Sequence, residues 1–267
     1  MAIFYWKGGS SPTGLWQSSG NWAKNEALTV AAGGYPHNAT DIAVITNASA
    51  DNITDFGEAI SIAAFINFGD FEAAQLTASD YTLTVGLASF LGYGSTNSVS
   101  IIGNCIFSGG YCVNSGTIVG NCIFSDGSYN NATITGDCIF NGTSAHNYGT
   151  ITGDCIFSGV SNRNQAGATI NGNCIFNTPG GRANGTINGD CIFASSSRNF
   201  TGTITGTCVS KSTSSHYTST VNGNAIFHTA TGINTPMNIT GSLVPLVPVT
   251  TTGTIGKKPL DVLGAEI

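Results

Sequence analysis

The phrase Gly-Asn/Asp-Cys-Ile-Phe returns about every 17 residues through the middle of this chain. It spans Gly103 to Phe107, Gly120 to Phe124, Gly136 to Phe140, Gly153 to Phe157, Gly172 to Phe176 and Gly189 to Phe193. It then decays to Gly206-Thr207-Cys208-Val209-Ser210 and Gly223-Asn224-Ala225-Ile226-Phe227. A unit this short cannot enclose a core of its own, so successive copies must stack and bury apolar surface against each other. Its β-branched residues make the stack one of strands.

A second short strand precedes each glycine, as in Thr133-Ile134-Thr135, Thr150-Ile151-Thr152 and Thr203-Ile204-Thr205. Polar-apolar-polar alternation sends the isoleucine inward and its neighbours outward. Glycine turns the corner between the two strands, where a close backbone approach is cheap. Counted on that glycine, the series runs 69, 86, 103, 120, 136, 153, 172, 189, 206, 223, 241, with insertions expected in the segment before the next strand. The remaining stretch of each coil reads as a turn-rich third side, on which Asn114, Asn130 and Asn147 fall at one equivalent position and predict a stacked amide ladder.

The expected fold is therefore all-β: a single-stranded parallel β-helix, right-handed, of 9–11 coils over residues 61–245. Residues 1–60 break the period and gather Trp6, Trp16 and Trp22; they predict an aromatic N-terminal cap covering an open strand edge. Residues 246–267 predict a C-terminal arm too short to fold alone, which docks on a partner.

Composition narrows the function. Charged residues make up 8% of the chain, against roughly 25% in an average globular protein, so charged-face helices are excluded. A net charge of −6, with no basic run longer than Lys257-Lys258, argues against nucleic-acid binding through phosphate neutralisation. No apolar run approaches the roughly 20 residues of a membrane span. The opening Met1 to Lys7 lacks the layout of a signal peptide, so synthesis in a cytoplasm is expected.

The faces carry the remaining information. Three consecutive apolar residues in a strand cannot all enter one core. With Cys and Phe inward, an outward column follows: Ile106, Ile123, Ile139, Ile156, Ile175, Ile192, Val209 and Ile226. Such a stripe would expose several hundred Å², a size that marks an interface, and points to a homo-oligomer, with a trimer the natural closed solution. The cysteines Cys105, Cys122, Cys138, Cys155, Cys174, Cys191 and Cys208 are expected to pack as small hydrophobes, with Cys112 out of register in a turn. No Cys-x-x-Cys pair points to a zinc site.

Asp137, Asp154 and Asp190 share a position with Asn104, Asn121, Asn173, Thr207 and Asn224. Stacked carboxylates could serve acid/base chemistry or a cation. Their interchange with Asn and Thr favours corner hydrogen bonding. The Thr-x-Thr/Asn side, with Val119, Thr135, Thr152, Asn171, Asn188, Thr205 and Asn222 in its second column, raises ice binding. A loop ridge of His146, Arg182 and His216 with Val113, Tyr129, Gln165 and Asn199 suits a solvated or partner-contacting edge.

The phrase GTITGDCIF followed by further Gly-Thr-Ile units resembles the repeats of parallel β-helix proteins of phage virions and related bacterial surface proteins; the likeness covers about residues 98–227. The resemblance implies a non-enzymatic virion protein without a cofactor, a capsid decoration, head appendage, tail fibre or spike, held to capsid or tail proteins and facing a host-surface glycan. A second reading keeps a carbohydrate-binding or carbohydrate-cleaving β-helix of tailspike type using Asp137 and Asp154, and a third an ice-binding solenoid.

Overall fold

The computed structural model describes residues 1–8, 14–49, 52–70, 76, 81–195, 198–199, 201–211, 215–216, 219–228, 232–233 and 238–245, the side chains of 198–199, 215–216, 232–233 and 245 excepted. The C-terminal arm expected over 246–267 lies outside the described residues. The chain divides into two compact units, Met1–Gly136 and Asp137–Ile267. Both are parallel β-solenoids whose coils close through three short sides.

In the first unit the strands Ile42–Ile45, Ile60–Asn67, Thr82–Phe90, Ser100–Phe107 and Cys122–Phe124 pair in parallel. Ala43, Phe65, Ala88, Cys105 and Cys122 stand in one column, so the coil step is 22 and 23 residues at first and 17 thereafter. A second inward column holds Ile60, Leu83, Ile101, Ile118 and Ile134. A third stacks Phe90, Phe107 and Phe124 with ring centroids 4.6 and 4.8 Å apart and planes 2° from parallel. That separation is the inter-strand spacing of about 4.8 Å, so ring stacking and backbone pairing share one repeat.

The corner glycines are set by crowding. Gly103 has φ 148° and Gly136 φ 150°. A Cβ on Gly103 would overlap the carbonyl oxygen of Val85, and one on Gly136 that of Gly120. Gly69 does not belong to this column. Ala63 occupies the corner beneath Gly86, while Gly69 lies beneath Gly92 at the corner that follows the phenylalanine. The sequence count placed Gly69 one corner too late because the coil before Gly86 is longer than 17 residues.

The aromatic N-terminal cluster is core, as expected. The strand Ile3–Trp6 pairs in parallel with Ile42–Ile45 and antiparallel with Trp22–Ala23, which ends parallel stacking at that edge. Trp6, Trp16 and Trp22 are fully buried, and the Trp22 ring meets both others edge to face at 4.9 and 4.7 Å. The indole N–H of Trp16 donates to the Pro36 carbonyl at 2.7 Å, and that of Trp22 to the Trp16 carbonyl at 2.6 Å.

Asp41 ties down the loop that enters this strand system. Its Oδ2 accepts from the Asn38 N–H and side-chain amide, each at 3.1 Å, and from the His37 N–H at 3.3 Å; its Oδ1 accepts from the Ala2 N–H at 3.3 Å. Burial pushes the carboxyl up, but these hydrogen bonds, led by the Asn38 N–H, outweigh it and hold the pKa below its ordinary value. A carboxyl lowered by folding adds stability above the unfolded pKa of about 4, and that stability is lost as pH falls through the lower folded value. Urea midpoints measured down a pH series are expected to show this acid-side loss, and Asp41→Asn to flatten it. An unchanged pH slope in the variant would show that Asp41 contributes nothing to acid stability.

The second unit repeats the later coil. Cys138–Phe140, Cys155–Phe157, Cys174–Phe176, Cys191–Phe193, Cys208–Ser210, Ala225–Phe227 and Leu243–Pro245 pair successively in parallel. Ile151, Ile170, Ile187, Ile204, Val221 and Ile239 form the second inward column. Phe140, Phe157, Phe176 and Phe193 stack at 4.7, 4.7 and 5.2 Å, and Ser210 takes the next phenylalanine slot, fully buried.

The turn-rich third side is itself a file of two-residue strands. They are Thr96–Asn97, Val113–Asn114 and Tyr129–Asn130 in the first unit, and His146–Asn147, Arg163–Asn164, Arg182–Ala183, Arg198–Asn199, Ser215–His216 and Gly232–Ile233 in the second. The amide ladder is present and faces inward. Asn97 donates to Asn114 and Asn114 to Asn130, both at 2.8 Å; in the second unit Asn147 donates to Asn164 at 2.9 Å. All five are fully buried.

Candidate functional site

The alternation of the Cys-Ile-Phe strand is as the sequence predicts. Each cysteine and phenylalanine from Cys105 to Phe193 in this motif is at most 1% exposed, while the isoleucine between them faces out. Ile139 and Ile156 are 38% exposed, and Ile106, Ile123, Ile175, Ile192, Val209 and Ile226 are half-buried. An isoleucine in this position keeps its branched carbons against neighbouring rungs and shows its far edge.

The column is longest in the second unit. Ile139, Ile156, Ile175, Ile192, Val209 and Ile226 are held in strict register, and Val244 extends the run. Val244 was hidden in the sequence because Leu243-Val244-Pro245 lacks both the cysteine and the phenylalanine of the phrase. In the first unit the same column reads Val44, Ile66, Ser89, Ile106 and Ile123, with Val44 and Ser89 buried, so its exposed apolar part is short. The stripe of the second unit is flanked by exposed Asp137, Asp154, Asn173 and Asp190 before the strand, and by exposed Asn141, Ser158, Asn177 and Lys211 after it. An apolar centre with a polar rim is the layout of an association surface.

The Asp/Asn column has a plain structural duty. Asp137 Oδ1 accepts the Asp154 N–H at 2.8 Å, Asp154 Oδ1 the Asn173 N–H at 2.7 Å, and Asn173 Oδ1 the Asp190 N–H at 3.0 Å. Asp190 does the same for Thr207 at 2.7 Å, and Asn104 for Asn121 at 2.9 Å in the first unit. Only a side-chain oxygen at that reach is needed, which is why Asp and Asn interchange. The corner bonds thus link each coil to the next.

The cysteines are free and buried. Burial pushes the Cys174 and Cys208 thiols well up, and at Cys105 the hydrogen bond to Cys122 acts first, with burial second. Raised thiols in an apolar column stay protonated and unreactive. Cys112 lies outside the cysteine column, next to the bend at Gly109–Tyr111, and it is fully buried there, its thiol donating to the Phe90 and Gly92 carbonyls at 3.3 Å each.

On the Thr-x-Thr side the register makes an unbroken file of Thr150, Thr169, Thr186, Thr203 and Thr220. The mixed second file is exposed, and Asn188 donates to Asn171 at 2.8 Å.

The loop ridge requires correction. Its register is His146, Arg163, Arg182, Arg198, Ser215, and not the series through Gln165, Asn199 and His216. Counting back from the following glycine takes Gln165 for Arg163, because the extra residues of the coil from Gly153 to Gly172 lie after Arg163, around Gly167 with its φ of 86°; Asn199 and His216 each stand one residue past the column, after Arg198 and Ser215. Burial lowers the His146 pKa, and the adjacent Arg163 charge lowers it further, against a raising hydrogen bond at Ala145.

Among the described residues, no helix is long and apolar enough to cross a membrane. No protein-family model, curated protein or solved structure significantly matches this chain.

Proposed function

We propose that this chain is a non-enzymatic structural component of a phage particle, a capsid decoration or appendage or a tail-fibre element, that assembles with copies of itself. The observation that carries the reading is the outward aliphatic column of the second unit, Ile139 to Val244, seven rungs long. A stripe one residue wide exposes on the order of a few hundred Å². A stable interface takes about 800 Å² from each partner, so the Asp/Asn and Asn/Ser rims would be enclosed with it. Parallel packing about a three-fold axis brings such stripes together and leaves none exposed, which favours a trimer. The sequence likeness to virion β-helices supports the setting, and hydrogen-bonded coils with few charges suit a mechanical role.

Ile139→Asp combined with Ile156→Asp tests the assembly. Both side chains are outward, so the coil remains intact while buried carboxylates oppose association. Sedimentation velocity is expected to show an oligomer for the native chain and monomers for the variant. A native protein that sediments as a monomer at micromolar concentration would sink the proposal. Co-purification of the chain with intact particles tests the virion setting separately.

A further inference from the structure

Seven cysteines share one coil position, and neither coil closure nor assembly uses their sulfur. In the second unit Cys138, Cys155, Cys174, Cys191 and Cys208 occupy consecutive rungs in strict register, and Cys105 and Cys122 are paired in the same way in the first. All are at most 1% exposed, and none is in a disulfide. Packing alone does not call for sulfur here. Ala88 precedes Cys105 in the column and Ala225 follows Cys208, and both are fully buried. The sulfurs face one another along the column: the Cys105 thiol is hydrogen-bonded with that of Cys122, and the Cys174 thiol with that of Cys191.

We propose that this column binds copper(I), each ion held in line between the sulfurs of two successive coils. The rung repeat sets the fit. In the phenylalanine column of the same strands, rings one rung apart are centred 4.7 or 4.8 Å from each other. Two metal–thiolate bonds of about 2.3 Å span about 4.6 Å, so an ion between two rungs meets both sulfurs without moving the backbone. The ion must accept two ligands, because among the described residues no group of three or more His, Cys, Asp or Glu side chains is placed to hold a metal. That excludes zinc, which takes four, and leaves the soft cations that thiolates select, of which copper(I) persists where thiols stay reduced. On binding, the ion replaces the proton of one thiol, while the second sulfur donates a lone pair and keeps its own proton. One proton leaves for each copper(I) that enters, so the buried unit stays neutral, as an apolar interior requires. Since the sulfurs are shut off from solvent, loading belongs to folding, as the coils close. This inference does not depend on the isoleucine column or on assembly.

Refolding the full chain with copper(I) under anaerobic conditions, then exposing it to a copper(I) chelator and measuring the metal it retains, tests the proposal. If each sulfur serves one ion, the parent is expected to keep about three, one at Cys105–Cys122 and two in the second unit, and to unfold at a higher temperature than the copper-free chain. Cys155→Ala/Cys191→Ala leaves no two cysteines on adjacent rungs of the second unit, and should keep about one ion. Cys138→Ala/Cys208→Ala removes as many thiols but leaves Cys155, Cys174 and Cys191 together, and should keep about two. Alanine is the chain's own residue at rung 225, so both variants are expected to fold without copper. A parent chain that yields all its copper to the chelator, an unchanged or lower unfolding temperature on loading, or equal losses in the two variants would overturn the proposal.

Discussion

Replacing Phe157 with alanine is expected to lower the stability of the second unit by about 3–5 kcal/mol, the largest effect of any single truncation considered for this chain. Phe157 lies between Phe140 and Phe176, both centred 4.7 Å away and tilted by only 9° and 7°. It is 1% exposed. Truncation loses the transfer energy of the ring and two stacked faces, and coils pinned by backbone pairing cannot collapse into the gap. Phe193 offers the internal comparison. It stacks on Phe176 at 5.2 Å, while its other neighbour in the column is Ser210. Phe193→Ala should therefore cost less than Phe157→Ala, and Phe157→Leu should cost less again. Urea midpoints followed by circular dichroism give the order directly. Equal costs for Phe157 and Phe193 would mean that ring stacking along the column adds nothing beyond burial.

Much of this architecture was legible because one residue type recurs at each inward position. Wherever Cys, Ile and Phe repeat, parity alone separates core from surface, and the sorting of Cys105 through Phe193 follows. Legibility fades where a column is kept but its residues change. Ala43, Phe65 and Ala88 fill the cysteine column, yet none of them is cysteine and they stand 22 and 23 residues apart. A search tuned to a 17-residue period passes over them. The third side was obscure for a different reason. Its strands are two residues long, too short for alternation to register, so the inward asparagines could be aligned but not seen as buried.

The candidate site divides the same way. The outward isoleucines were legible since each is bracketed by two residues of the repeated phrase. Val244 was not, because its bracket is Leu243 and Pro245. The arginine register was blurred twice: anchored on the preceding glycine, Arg163 and Arg182 align with His146, but anchored on the next glycine Gln165 takes the place of Arg163, and Arg198 falls one residue short of the count from either side. Pairing register resolves what counting leaves open, since a slip of one residue exchanges the buried face for the exposed one.

The buried amides give the second large effect. Asn147→Leu is expected to destabilise the second unit by about 3 kcal/mol, although it adds apolar volume to an interior position. Asn147 Nδ2 donates to the Gly149 carbonyl at 3.1 Å and to Asn164 Oδ1 at 2.9 Å, and its Oδ1 accepts the Gly149 N–H at 3.2 Å. Leucine strands all three groups at once. Water can reach Gly149, which is half-exposed, but Asn164 is fully buried, so the penalty concentrates on its oxygen. The same column shows that an apolar neighbour is not itself the difficulty. Ala183 stands on the far side of Asn164, where Asn164 Nδ2 turns to the Thr186 carbonyl at 3.4 Å. The cost should therefore belong to the pair and not to either site alone. Asn147→Leu/Asn164→Leu removes donor and acceptor together, and should be less destabilising than the sum of the single variants by about 1–3 kcal/mol. A double-mutant cycle on urea midpoints measures that difference. Additive costs would show that the ladder is a row of independent turn contacts; coupling would show that the amides hold one coil to the next.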